Sequence, residues 1–324
     1  MCAALGSRMG DAARTIKDTH SPHAGNYHGW TLGAHQISSA SAGKPWLTSP
    51  DEQIHHLRAP GGNSETGGDT NTDWPAFFDA AIAELAGRGV NPQQVAGVFI
   101  ETIPGSRAVP WPTQYVQRLR DWADEHRVLL IFDEIQTGFG RTGKWFGHEH
   151  YGVRADLICV GKGLTSSLPL AAVLGSAEIL DLLGPADITS THAGHPLSCA
   201  ATLANLDVLE SQNLIEQSSR KGQIAAARLQ HLKNRFPKHI ADANGLGLLH
   251  IVHFRDPQTG QPDTELARAS TWEAVKRGVM LINTGLPTLK ICPPLVISDD
   301  ALIEGIEVIE EAIRAVITST GISG

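Results

Sequence analysis

A carboxylate and an amine stand at the ends of two strand-like segments of this chain. The first ends Ile131-Phe132-Asp133-Glu134, the second Val160-Gly161-Lys162-Gly163. In a parallel sheet, the C-terminal ends of the strands form the edge where ligand-binding groups gather. An acid and an amine on that edge suit a cofactor that carries both a basic nitrogen and an aldehyde. A buried Asp–Lys ion pair would use the same two residues for structure alone. Three other patterns between them carry less. Gly138-Phe139-Gly140-Arg141-Thr142-Gly143 fits the dinucleotide pattern GxGxxG, but Lys144-Trp145-Phe146-Gly147 opens no helix to point N–H groups at a pyrophosphate. As a phosphate loop the same stretch lacks its Ser or Thr, because Trp145 follows Lys144. His148-Glu149-His150 lacks the i, i+4 spacing of a zinc-binding helix and reads as a solvated loop, so no metal site is expected.

The elements that must position these groups alternate along the chain. Residues 1–26 are polar and weakly patterned. Trp74–Arg88 has apolar residues at helical spacing, with Pro75 in the first turn. Val95–Ile100, Val128–Phe132, Ala155–Val160 and Leu170–Leu174 are short apolar runs suited to strands buried on both faces, and Pro112–His126 is helical. This alternation predicts an α/β fold, a mostly parallel sheet flanked by helices. After about residue 213 the pattern changes to amphipathic helices, the segment Gly245–Phe254, a helix near Thr264–Arg277, and strands at Gly278–Ile282 and Leu289–Ile291. A closing helix buries Leu302, Ile306, Ile309, Ile313 and Val316, with Ser298, Asp299 and Asp300 at its start. This part is expected to form a smaller α+β domain. Residues 60–73 read as a polar, Gly-rich surface loop.

Composition narrows the function classes. Of 324 residues, 41% are hydrophobic and 19% charged, the mix of a globular enzyme. Lys and Arg number 26 against 34 Asp and Glu, for a net charge of −8, so a nucleic-acid partner is not expected. No apolar run approaches membrane-spanning length and no secretory signal is visible, so the chain reads as a cytoplasmic protein with no membrane partner. Cys2, Cys159, Cys199 and Cys292 are widely spaced and form no CxxC pair.

The string FDEIQTGFGRTGKWFGHEHYGVRADLICVGKGL, with NYHGWTLGA before it and TSTHAGHPLSCAATLANLDVLE after it, resembles the class III (ω-amino acid) aminotransferases. The likeness runs over about residues 24–318 and includes LKICPPLVISDDALIEGIEVIEEAI near the end. It implies a pyridoxal 5'-phosphate (PLP) transferase of fold type I, with a large domain over 1–213 and a small domain over 214–324. It further implies transfer of an amino group between an amine or amino acid and a 2-oxo acid, in a homodimer. Lys162 takes the place of the Schiff-base lysine, which must shed its proton and is helped to do so by burial near a cation. Asp133 would pair with the pyridine nitrogen, which makes the ring an electron sink. Gln136 would bond the phenolic oxygen and Tyr27 would stack on the ring; His28 has a supporting or a core role. Thr191 matches the threonine that reaches the phosphate of the neighbouring subunit.

Two departures from the family pattern stand out. Tyr27 is preceded by 26 residues, and the Ser-Gly-x-Glu-Ala loop that cradles the phosphate in the family does not occur there. The chain is therefore expected to be truncated at its N-terminus and to hold PLP weakly, with Ala12–Lys17 the remnant of the helix behind that loop. The second departure concerns substrate. Lys290, in Lys290-Ile-Cys-Pro-Pro, replaces the carboxylate-binding arginine and offers a point charge without a bidentate fork. A solvated strand residue is the other reading of Lys290. Glu101 is kept, but the second glutamate that can gate the arginine is absent from Glu101-Thr-Ile-Pro104-Gly105-Ser106. Two alternatives to the transaminase follow: a catalytically weak or inactive paralogue, and a racemase or lyase using the same Lys162 and Asp133.

Overall fold

A computed structural model of the chain describes residues 26–38, 51–61, 72–105, 108–184 and 187–319, and the backbone of 14–19. Most of the polar 1–26 segment and of the 60–73 loop lies outside the described residues. The chain divides into two compact units. One takes Met1–Gly105, Trp111–Gly138 and Gly147–Asp207; the other takes Ser106–Pro110, Phe139–Phe146 and Val208–Gly324.

The first unit is built on a six-stranded sheet. Its strands are β1 (Arg14–Thr19), β2 (Ile54–Arg58), β3 (Val95–Glu101), β4 (Leu129–Asp133), β5 (Leu157–Val160) and β6 (Ala172–Gly175), in the order β2-β1-β3-β4-β5-β6. All neighbours are parallel except β5 and β6, which run antiparallel. The exception has a local cause. Residues 161–171 join β5 to β6 without the crossover helix that a parallel return requires, so the chain reverses at the sheet edge. Strand β1 corrects two expectations. It lies within the stretch read as irregular, and it replaces the helical remnant placed at Ala12–Lys17. Its residues show no apolar run, and its place comes from backbone pairing to β2 on one side and β3 on the other.

Helices α1 (Leu32–Ile37), α2 (Trp74–Gly87) and α3 (Thr113–His126) follow in this unit, then α4 (Ala177–Leu180) and most of α5 (Pro196–Ser211). Helix α2 begins at Asp73, whose side chain accepts the Ala76 N–H, and it buries Phe78, Ala81 and Leu85. Helix α3 buries Tyr115, Val116, Leu119 and Trp122. These side chains and Val98, Ile100, Leu130 and Phe132 from the sheet form one core. Burying such apolar groups contributes about 1.5–3 kcal/mol per large side chain, and it holds the ends of β3 and β4 in fixed register.

The second unit has a three-stranded antiparallel sheet of β7 (Ile240–Leu246), β8 (Leu249–Phe254) and β9 (Thr288–Ile291). It is covered by α6 (Leu214–Arg235), α7 (Thr264–Lys276) and α8 (Asp299–Ser319). All five residues predicted for the buried stripe of the closing helix are buried, and Ser298 Oγ accepts the Ala301 N–H at its start. The β7–β8 turn requires glycine at 247. Its φ is +53°, and a Cβ there would lie 2.3 Å from the Thr142 carbonyl carbon. The strand expected at Gly278–Ile282 does not form; only Ile282 makes an isolated bridge, to Lys290. The chain leaves α7 through Gly278 at φ +91° and runs outward, with Met280 90% exposed.

Candidate active site

The sheet brings three polar strand ends into line. Glu101 of β3 is the register partner of Asp133 on β4, and Asp133 is the partner of Cys159 on β5. The Glu134 N–H donates to the Cys159 carbonyl at 2.9 Å, so the two strands stay paired to the end of the sheet. Immediately beyond β5, Lys162–Leu164 form a single 3-10 turn. Lys162 has φ +44°, in the left-handed region disfavoured for a residue with a Cβ. The described residues do not bury this lysine: its side chain is exposed.

Asp133 is buried and held on both oxygens. Oδ1 accepts the Ile135 N–H at 3.0 Å, and Oδ2 lies 2.8 Å from His28 Nδ1. On the far side of the imidazole, Asn26 Nδ2 is 3.0 Å from Nε2. With the amide placed in that orientation its NH2 can only donate, so Nε2 accepts and Nδ1–H donates to Asp133. The ring sits edge-on to Phe99 at 4.7 Å between centroids. The His28 N–H donates to Ser38 Oγ at 2.9 Å, and that hydroxyl donates to the Ala34 carbonyl. His28 is thus fixed at its backbone, at its face and at both ring nitrogens.

Glu101 organises the neighbouring group. Its Oε1 accepts the Tyr27 N–H at 2.8 Å and its Oε2 the Gly105 N–H at 2.7 Å. The approach at Gly105 is close. A Cβ there would fall 2.9 Å from Glu101 Oε2 and 3.4 Å from Gln136 Oε1. Glu101, Gln136 and Tyr27 therefore share one corner with Asp133. The Tyr27 ring remains 46% exposed and meets Trp30 edge-on at 6.0 Å.

Glu134 has the opposite fate from its neighbour in sequence and is fully buried. It accepts the Thr137 hydroxyl, the Gly147 N–H at 2.9 Å, the His148 N–H at 2.8 Å and His148 Nδ1 at 3.1 Å. Burial alone would raise its carboxyl, but these donors outweigh burial and hold it below the ordinary range. This arrangement corrects the solvated-loop reading of His148-Glu149-His150. Gly147–Tyr151 form a short 3-10 helix, and His148 stacks on Phe132 at 5.5 Å. The Tyr151 hydroxyl closes the same region, donating to the Thr102 carbonyl and accepting the Trp111 N–H. Burial pushes its phenol well above the usual tyrosine range.

The remaining predicted residues stand elsewhere. Thr191 is exposed on a turn over residues 191–194 of the first unit. Lys290 belongs to the second unit, where it pairs with Ile251 and is buried, so the solvated reading of Lys290 does not hold. Sequence reasoning missed Asn26 and the His28–Asp133 bond. The motif Asn26-Tyr27-His28 is visible in the sequence, but a contact from His28 across 105 positions leaves no local spacing to detect. Among the described residues no group of three or more His, Cys, Asp or Glu could hold a metal ion. No helix among them is long and apolar enough to cross a membrane.

Known proteins resemble this chain in sequence and in fold. A probable 4-aminobutyrate aminotransferase of Bacillus subtilis (strain 168) is 39% identical over 244 residues, 74% of this chain and 55% of that protein. An alanine/serine racemase of Pyrococcus horikoshii is 32% identical over 303 residues, 91% of this chain and 63% of that protein. The chain thus spans little more than half the length of these relatives. The crystal structure of an S-selective transaminase from Bacillus megaterium superposes with a TM-score of 0.85 at 27% identity, covering 98% of this chain and 73% of that one. That likeness establishes the PLP-transferase type I architecture for the sheet and its flanking helices. The profile of the family described as Aminotransferase class-III matches residues 14–313, and the chain belongs to that family.

Proposed function

We propose that this chain carries the cofactor-binding core of a PLP-dependent aminotransferase, moving an amino group between an amine or amino acid and a 2-oxo acid. The observation that carries the reading is the placement of Asp133 and Lys162 at the same ends of adjacent parallel strands, with Asp133 buried and backed by His28. The residues present fit the group. Asp133 offers a carboxylate fixed in orientation for a pyridine N–H, and Lys162 offers an exposed primary amine for an aldehyde. Gln136, one turn beyond Asp133, would bond the phenolic oxygen, and the half-exposed ring of Tyr27 would cover one face. When bound, PLP supplies an electron sink for the charge that develops at the substrate carbon.

The chain's own residues then do three things. Asp133 would keep the ring nitrogen protonated, with His28 and Asn26 keeping the carboxylate from turning. Lys162 Nζ would carry a proton between the substrate carbon and the cofactor carbon, a task suited to a flexible amine at a strand end. Glu101 acts as a brace, since both its oxygens serve backbone N–H groups of Tyr27 and Gly105.

A homodimer completes the proposal. Leu197 and Leu203 on α5 are 67% and 64% exposed, and Ile188 is exposed on the preceding loop, near Thr191. These exposed apolar side chains would be covered in the subunit interface, and Thr191 would reach the phosphate of the neighbouring subunit from there. The match to the alanine/serine racemase favours one second reading, racemisation with the same Lys162 and Asp133. Amine-donor screening with a 2-oxo acid separates the two. The primary test is titration of the purified chain with PLP, followed by borohydride reduction and peptide mapping. The pyridoxyl mass is expected on Lys162, and labelling confined to other lysines overturns the assignment.

A further inference from the structure

The turn that carries Lys162 is held by a side chain from a distant helix. Backbone donors satisfy the first two carbonyls of the turn. The Leu164 N–H bonds the Gly161 carbonyl at 3.0 Å, and the Thr165 and Ser166 N–H groups bond the Lys162 carbonyl at 3.3 and 3.2 Å. The 3-10 turn then ends, and the next two carbonyls would be left to water, as at any helix terminus. Asn205 of α5 takes both. Its Nδ2 donates to the Gly163 carbonyl at 2.8 Å and to the Leu164 carbonyl at 3.2 Å. Its Oδ1 accepts the Ser166 hydroxyl at 2.7 Å.

The amide orientation follows from the partners. Two carbonyl oxygens can only accept, so the NH2 must face them, and the oxygen is left for the hydroxyl. The amide NH2 and the oxygen of one Asn side chain are therefore both spent on three of the four residues after Lys162, Gly163, Leu164 and Ser166. Those residues need holding. Lys162 at φ +44° and Ser166 at φ +59° both sit in the left-handed region, so the turn begins and ends on backbone geometry that a side chain disfavours. An external clamp keeps such a turn from relaxing, and the direction of the Lys162 Cα–Cβ bond is set by that turn.

We propose that Asn205 is a positioning residue for Lys162: its amide locks the left-handed turn and so determines where the amine is presented. The proposal rests on the reading of Lys162 as the cofactor lysine. Two substitutions separate clamping from packing. Asn205→Asp keeps the shape but places a charged acceptor against two carbonyls, whereas Asn205→Ala removes the group altogether. A clamp makes Asp the more harmful change; a purely space-filling role makes Ala the more harmful.

The experiment measures the rate at which PLP with borohydride labels Lys162, by peptide mass, alongside the rate at Lys276 as an exposed reference and the thermal midpoint. The unmodified chain is expected to label at Lys162. Asn205→Asp should slow Lys162 labelling about tenfold or more and Asn205→Ala less, with Lys276 unchanged and the midpoint within a few degrees. If the unmodified chain labels only at other lysines, the reading of Lys162 itself falls and the proposal with it. If it labels at Lys162 but the rate is equal in the variants, or slower in Asn205→Ala than in Asn205→Asp, the clamp alone is overturned. Should Asn205→Asp fail to fold, Asn205→Ala and Ser166→Ala decide: both are expected to slow Lys162 labelling several-fold, and unchanged rates overturn the proposal.

Discussion

His28 Nδ1 and Asp133 Oδ2 stand 2.8 Å apart although 105 positions separate them in sequence, and both side chains are nearly closed to water. The bond joins the loop before α1 to the end of β4. It makes the orientation of one buried carboxylate depend on a second segment of the chain. A hydrogen bond to a charged group is worth about 1.5–3 kcal/mol, and leaving the acceptor buried without its donor costs more than a neutral loss would.

His28→Phe tests that coupling through stability. The ring volume is kept and the Nδ1–H donor is lost. Chemical denaturation is expected to show a loss of about 1–3 kcal/mol, with the slope against denaturant unchanged. An unaltered midpoint would mean that Asp133 finds another donor.

Asp133→Asn separates charge from shape. The amide oxygen can still accept the Ile135 N–H, but the group can no longer balance a protonated ring nitrogen. Under the proposed function its effect should fall on kcat with KM little changed, because the charge it stabilises develops during the reaction. Electrostatic groups of this kind are typically worth about 3 kcal/mol, a hundredfold or more in rate. Steady-state kinetics with an amine donor and a 2-oxo acid read this out, and near-parent kcat would count against the role of Asp133.

Glu134→Gln should alter the acid limb of stability. The folded carboxyl is held below its ordinary value of 4.5, so it contributes stability above that pH and loses it as pH falls through the lower, folded value. Gln has one acceptor where the carboxylate has two, and its NH2 would face N–H donors. The variant is expected to be less stable at pH 7 and to lose less on acidification below about 4.5. Urea midpoints taken from pH 7 down to pH 3 check this; parallel curves for the two proteins would refute it.

Lys162→Gly and Lys162→Ala both remove the amine, so neither should retain pyridoxyl after borohydride. They differ at the backbone. At φ +44° glycine relieves a conformation that alanine does not, so the Gly variant is expected to be the more stable by about 1 kcal/mol. Thermal denaturation of the pair gives the comparison. Equal midpoints would show that the turn relaxes once the lysine side chain is gone.

The legible elements were those with strong local signals. Phe78, Ala81 and Leu85 on α2, the apolar runs of β3 and β4, and the stripe on α8 all state their burial in their spacing, and the structure places each within a residue or two. Strand β1 was not legible, because Arg14–Thr19 alternates no apolar residues and is a strand only through the partners on either side. The antiparallel sense of β6 is not legible in the sequence, because an apolar run reports burial and carries no direction.

At the site the division is similar. That an acid and an amine end neighbouring strands is legible in the chain alone, because strand runs and their terminal residues are local features. The sequence also supplied the motif strings on which the family likeness rests. The burial of Glu134 among its donors, the facing of Asp133 to His28, the burial of Lys290 and the reach of Asn205 to the Lys162 turn emerge only when the chain is folded. Each of these depends on the register between strands or on the docking of a helix. Such geometry is set by summed burial over the whole core, and no short stretch of sequence encodes it alone.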